Sequence, residues 1–322
     1  ADFNADGNPD IAVGNSTSDS VTVFLGNGSG SFLSIRNYQA AGGIRGLTVT
    51  DLDGDGDADI VTANRTGNNI AMLLNNGNGT FAPRTVMEAN GNAETACAAA
   101  DANDDGILDL FVGAYSSSEI ILLLGNGTGG FTFSSKVGAG GGGPWMIAVG
   151  DVNGDGKVDV VSANSNGNNT AVIFGNGQGG LSAAVTYPTS AFPLAIDLGD
   201  IDGDGDLDLV LSNYSGRNWN VFENNGSGTF INRRILAASQ AGSCATLHDR
   251  DNDGDLDMTG IDEEADLIFL FRNGPPNSVP PVATPPNTFA LHRNYPNPFN
   301  PGTEIRFDVP TAATTSLMIY NL

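Results

Sequence analysis

The chain is poor in the residues that most chemistry uses: two cysteines, two histidines and 13 lysines and arginines among 322 residues. So few basic residues leave no stripe to neutralise phosphates, which argues against nucleic acid and against anionic membranes. No uninterrupted apolar run approaches the roughly 18 residues of a membrane-spanning helix. Helical periodicity is missing from most of the chain, and no signal peptide is visible at Ala1. Cys97 and Cys244 are expected to be small buried apolar residues and not a disulfide, because they lie three repeats apart on non-adjacent strands. His248 and His292 belong to no grouping with Ser, Cys or Asp that resembles a catalytic constellation.

Aspartate is abundant, and it is ordered. A nine-residue phrase, DxDxDGxxD or its Asn variant, begins at Asp2, Asp51, Asp101, Asp151, Asp200 and Asp249, at intervals of 49 or 50 residues. Its alternate positions are Asp2, Asn4, Asp6, Asn8 and Asp10; Asp51, Asp53, Asp55, Asp57 and Asp59; Asp101, Asn103, Asp105, Ile107 and Asp109; Asp151, Asn153, Asp155, Lys157 and Asp159; Asp200, Asp202, Asp204, Asp206 and Asp208; and Asp249, Asp251, Asp253, Asp255 and Asp257. Carboxylates this close repel one another unless a cation joins them. Oxygen donors at positions 1, 3, 5 and 9, a backbone carbonyl from position 7 and a glycine at position 6 suit a hard ion with six or seven ligands, which points to calcium. Magnesium keeps its waters, and zinc would want Cys or His. An EF-hand would need Glu at position 12, where this chain has Val13, Thr62, Val112, Ser162, Leu211 and Gly260.

Of 37 acidic residues, 25 lie in these six phrases, so the net charge of −24 is mostly loop charge that six divalent ions would halve. Asn4, Asn103 and Asn153 keep an oxygen at position 3 but lose its charge, so loops one, three and four are expected to hold calcium more weakly than two, five and six.

One period, Ile44 to Ala93, holds four short β-like segments separated by Gly, Asn and Asp turns. That pattern predicts a propeller blade. An Asn-Gly hairpin recurs at Asn27, Asn76, Asn126, Asn176 and Asn225, followed by Phe32, Phe81, Phe131, Leu181 or Phe230 as expected inter-blade core.

Residues 1–274 resemble the FG-GAP or VCBS repeats found also in the integrin α-subunit head. The resemblance implies that the Asp loop joins the first and second strands of a blade and binds calcium. The expected fold is all-β, six visible blades of a propeller that has seven in the full protein or closes from six by joining its two ends, with the N-terminal blade truncated. Residues 275–288 form a Pro-rich linker, and 289–322, with NYPNPFNP and IYNL, resemble part of the Ig-like C-terminal sorting domain of type IX secretion substrates. By that resemblance the protein is secreted or attached to the outer-membrane surface of a Gram-negative bacterium, through the secretion machinery.

The function expected is a calcium-stabilised binding or adhesion module, a monomer, for protein or carbohydrate. The alternatives are a propeller polysaccharide lyase, or the accessory domain of a larger enzyme. If the Asp loops and Asn-Gly hairpins share one face, a ligand would meet the other. Candidates there are Arg65, Tyr115, Trp145, Phe192, Tyr214, Arg217 and Trp219, and the glycine run 138–143 is expected to be a mobile loop beside them.

Overall fold

The computed structural model describes residues 1–274 and the paired two-residue strands Ala290–Leu291 and Phe307–Asp308. Readings placed on the remainder of 275–322, the linker and the sorting domain, lie outside the described residues.

Six antiparallel sheets follow one another along the chain, each an up-and-down blade. Blade one has β1 (Ile11–Asn15), β2 (Ser20–Gly26) and β3 (Phe32–Gln39). Blade two has β4 (Ile44–Thr50), β5 (Asp59–Asn64), β6 (Asn69–Leu73) and β7 (Thr85–Met87). Blade three has β8 (Glu94–Ala100), β9 (Asp109–Ala114), β10 (Glu119–Gly125) and β11 (Phe131–Gly138). Blade four has β12 (Pro144–Gly150), β13 (Asp159–Asn164), β14 (Asn169–Ile173) and β15 (Val185–Pro188). Blade five has β16 (Pro193–Gly199), β17 (Asp208–Asn213), β18 (Asn218–Asn224) and β19 (Phe230–Ala237). Blade six has β20 (Gly242–His248), β21 (Asp257–Asp262) and β22 (Leu267–Phe271). No helix occurs among the described residues, and none is long and apolar enough to cross a membrane.

Strands β4, β8, β12, β16 and β20 pack in succession against one another, which places them innermost, around the axis. The second strands, β5, β9, β13 and β17, are buried along their whole length. Their neighbouring side chains alternate between two inter-blade layers, as a period of two requires. Leu110 enters the layer with blade two while Phe111 enters the layer with blade four; Val160 and Val161, and Leu209 and Val210, divide in the same way. A strand packed on both faces reads as a continuous apolar run, and each such side chain stabilises the fold by roughly 1.5–3 kcal/mol.

The two ends of the array differ from its middle. Ile11 and Val13 of β1, and Ile268 and Leu270 of β22, are exposed where the inner blades bury their counterparts. Among the hairpin aromatics, Phe81 packs edge-on against Phe3 and Tyr38, and Phe230 against Tyr187, across blade boundaries. Phe32 departs from the expectation: it is 46% exposed, and its ring contact is with Phe24 of its own blade.

Candidate functional site

In blades two to six the Asp loop runs from the first strand to the second, and each Asn-Gly hairpin runs from the third to the fourth, so both lie at one end of the blades. The loop is organised by its own carboxylates. Asp51 accepts from the amides of Gly54 at 2.8 Å and Gly56 at 3.0 Å, and Asp55 accepts from Asp57 N at 2.9 Å. Gly56, with φ of 91°, adopts the left-handed turn that returns the chain toward the first carboxylate.

Position 9 has a second task. Asp59 accepts from Leu52 N at 2.9 Å with one oxygen and from Asn75 N at 2.7 Å with the other, tying the loop to the end of the third strand. Asp10, Asp109, Asp159 and Asp208 repeat both contacts, and Asp257 repeats the second with Asn273 N. Burial pushes Asp59 and Asp159 up to about 6 and also raises Asp109 and Asp208, against the lowering effect of those amides.

Asp51, Asp53 and Asp59 bring carboxylate oxygens within 4.8 Å of one another, as do Asp200, Asp202 and Asp208, and Asp249, Asp251 and Asp253. These are loops two, five and six. In loops one and three the asparagine at position 3 turns its amide onto position 5, Asn4 to Asp6 at 3.1 Å and Asn103 to Asp105 at 3.0 Å. Asp53 Oδ1 is buried without a hydrogen-bond partner, an acceptor that a cation would satisfy. Loop six is different: Arg272 lies 2.8 Å from both Asp251 and Asp253, where the equivalent residues of blades two to five are Leu74, Leu124, Phe174 and Glu223. Arg272 holds Asp253 down at about 2.

The opposite end of the blades carries a chain of ring contacts. The Arg65 guanidinium lies 4.6 Å from the Tyr115 ring centroid and 5.4 Å from that of Trp145; Arg45 lies 5.6 Å from Trp145. Tyr115 and Trp145 meet edge to face at 5.5 Å, Trp145 and Phe192 lie tilted at 6.2 Å, and Phe192 and Tyr214 meet edge to face at 6.4 Å. Tyr214 then donates its hydroxyl to Glu264 at 2.8 Å, which raises the phenol to about 12. The series passes from blade two to blade six, and Arg45 and Trp145 are second residues of the innermost strands β4 and β12, so they meet over the axis.

Phe192 stands in a left-handed conformation, φ 58°, with its amide donating to Asn168 Oδ1 at 2.8 Å. Gly43 and Gly143 occupy the same place ahead of β4 and β12 and are also left-handed. An aromatic residue there costs of order 1–3 kcal/mol of backbone strain, which the surrounding structure must offset.

Five of the seven sequence-selected ligand-face residues, Arg65, Tyr115, Trp145, Phe192 and Tyr214, therefore come together. Trp219 does not, and its place among them is corrected: it is fully buried between blades five and six, tilted against Phe269 and edge-on to Phe271, with its indole N–H donated to Cys244 O at 2.7 Å. Arg217 is exposed on a turn and joins no ring contact. The glycine run is also corrected, from an open loop to a packed seam. A Cβ on Gly141 would lie 2.3 Å from Asn169, and one on Gly143 would lie 2.9 Å from the Tyr115 ring. Both cysteines are free, and burial pushes the Cys97 thiol up to about 12.

Sequence reasoning missed Arg45, since nothing in its own repeat distinguishes it from a solvated strand end. It also missed Glu94, fully buried at the start of β8 with neither carboxylate oxygen in a hydrogen bond, its pKa raised by burial.

FG-GAP-like repeats match residues 2–62, 51–112, 101–162, 151–211 and 203–259. No curated protein matches the chain. Among solved structures, an Agrocybe aegerita lectin, described for its specific recognition of non-reducing terminal N-acetylglucosamine, is 21% identical with a TM-score of 0.55, over 80% of this chain and 72% of its own. A protein from Lactobacillus plantarum is 12% identical with a TM-score of 0.57, over 82% and 81%. A catalytically inactive virginiamycin B lyase from Staphylococcus aureus, with quinupristin, is 13% identical with a TM-score of 0.54, over 83% and 77%. At these identities the likeness is one of fold.

Proposed function

The chain belongs to the FG-GAP-like repeat family, and from that premise we propose that it is a calcium-stabilised binding module which holds a protein or carbohydrate ligand on the face opposite its Asp loops. The observation that carries the reading is the run of half-exposed rings from Tyr115 through Trp145 and Phe192 to Tyr214, maintained at the expense of a left-handed phenylalanine. Aromatic surface left open at the mouth of a rigid scaffold is the common chemistry of recognition.

Calcium would be held in loop two by Asp51, Asp53, Asp55, the carbonyl of Asp57 and Asp59, and in loop five by the corresponding residues from Asp200 to Asp208. Its chemistry there is neutralisation of clustered carboxylates, which otherwise repel. The protein's own part is to pre-form the cradle, through the glycine turns and the amides already bonded to positions 1, 5 and 9. Secretion and surface attachment remain part of the proposal through the tail sequence alone.

Catalysis is not part of the reading. Tyr214 is bonded to Glu264 and its phenol is raised to about 12, the wrong direction for proton abstraction near neutral pH. The test is immobilised-ligand binding in calcium buffer, across glycan and protein panels, with wild type and Trp145→Ala. Capture abolished by Trp145→Ala supports the reading; ligand turnover, or capture indifferent to Trp145, would sink it.

A further inference from the structure

The ring series is polarised in charge. At the blade-two end stand two guanidiniums, Arg45 exposed and Arg65 half-buried, each over an aromatic face. Among the described residues every ion pair is made by Lys136, Lys157, Arg234, Arg250 or Arg272, so neither Arg45 nor Arg65 has a carboxylate within 4.0 Å. At the blade-six end, Glu263 and Glu264 stand beside Tyr214. Arg36, Arg84, Arg217 and Arg233 also make no ion pair among the described residues, so what sets Arg45 and Arg65 apart is that both stand over the rings of one aromatic surface.

Building on the binding-face reading above, we infer that this surface takes an acidic glycan, a polymer whose sugar rings stack along the aromatic series while a carboxylate or sulfate ester engages Arg45 and Arg65. Guanidinium is a planar fork of five donors that matches an oxyanion bidentately, and its stacking on Trp145 and Tyr115 fixes that plane in advance. The rings are half-exposed and successive. An anchor side chain of a protein partner needs a pocket, whereas the apolar face of a pyranose needs only an open ring to lie on. Four rings in succession, from blade three to blade five, make a path for more than one sugar unit.

The chain's negative charge does not forbid an anionic ligand here. Strands of five to seven residues separate the two faces, roughly 20 Å at about 3.3 Å per residue, against a Debye length of about 8 Å at physiological ionic strength. The Asp loops are therefore screened from the arginine end.

Four probes separate the outcomes, each titrated in calcium buffer at low and high salt: dextran, dextran sulfate, polygalacturonate and poly-glutamate. The expected result is binding of one or both acidic polysaccharides, weakened by salt, with dextran much weaker. The double substitution Arg45→Gln, Arg65→Gln should weaken it by roughly tenfold or more with the melting temperature unchanged, whereas Arg45→Lys, Arg65→Lys should recover only part. Preference for dextran sulfate alone assigns a sulfate ester, and preference for polygalacturonate alone a carboxylate. Dextran bound as tightly as its sulfate, and unmoved by the double substitution, overturns the acidic assignment while leaving the aromatic surface as a sugar site. Poly-glutamate bound in place of the polysaccharides overturns the glycan assignment, and acidic binding that survives the double substitution overturns its location.

Discussion

Asn75 donates its side-chain amide to the backbone carbonyl of Phe3 at 2.8 Å, bridging blade two to the Asp loop of blade one across 72 residues of chain. The same amide reaches Ala58 O at 3.1 Å. Asn224 repeats the bridge to Val152 O at 2.7 Å, and Asn273 bonds Ile201 O, each again 72 residues away. Blades three and four have Gly125 and Gly175 at the corresponding place, so their junctions rest on apolar packing alone at this point.

Replacing Asn75 by Ala is expected to destabilise the propeller by about 2–3 kcal/mol, because two carbonyls lose a shared donor in a buried site. Asn224→Ala should behave alike. Urea denaturation measures both, and a loss below about 0.5 kcal/mol would show that water replaces the amide.

Removing calcium with a chelator is expected to lower the melting temperature, since loops two and five then hold uncompensated carboxylates. Loop six should respond differently. Arg272 already lies among its carboxylates, so this loop should bind the ion more weakly than loops two and five, in contrast to the ranking that charge alone suggests. Arg272→Leu, which restores the residue type of blades two and three, is expected to raise its affinity in a calorimetric titration. Six sites of equal strength in the unaltered protein would refute this order.

Glu94 gives a pH signature with a definite sign. Its pKa in the fold lies above the ordinary 4.5, so the folded state holds the proton more tightly than the unfolded chain. The resulting stability is fully present below about pH 4.5 and is lost as pH rises through the folded-state value. Glu94→Gln, measured in saturating calcium, should gain stability relative to wild type as pH rises over that window. A difference between the two proteins that does not change with pH would show that the fold does not raise the pKa of Glu94.

Two aromatic substitutions should separate packing from recognition. Trp219→Ala leaves a cavity between blades five and six and is expected to cost about 3–5 kcal/mol, with ligand affinity intact in the folded fraction. Phe192→Gly should change stability by less than about 1 kcal/mol, as relief of left-handed strain offsets lost ring contacts and added chain entropy, yet weaken ligand binding. Thermal denaturation and a binding titration on both variants decide the matter, and loss of affinity in the Trp219 variant alone would reverse the assignment.

The blades and their loops were legible in the sequence because both depend on local spacing. An Asp at every second position, a glycine where φ must be positive and an Asn-Gly turn act within a few residues of one another, so each repeat carries its own instructions. The continuous apolar runs at Ile60–Val61 and Leu110–Phe111 likewise announce strands packed on both faces. Tertiary structure alone decided what depends on which blade stands beside which. It buried Trp219, placed Arg272 among the carboxylates of loop six, spanned blades with Asn75, and brought Arg45 over Trp145 from 100 residues away in sequence. Side-chain spacing within a repeat fixes the local conformation, but a contact between repeats exists only once the ring has curved and set their ends together.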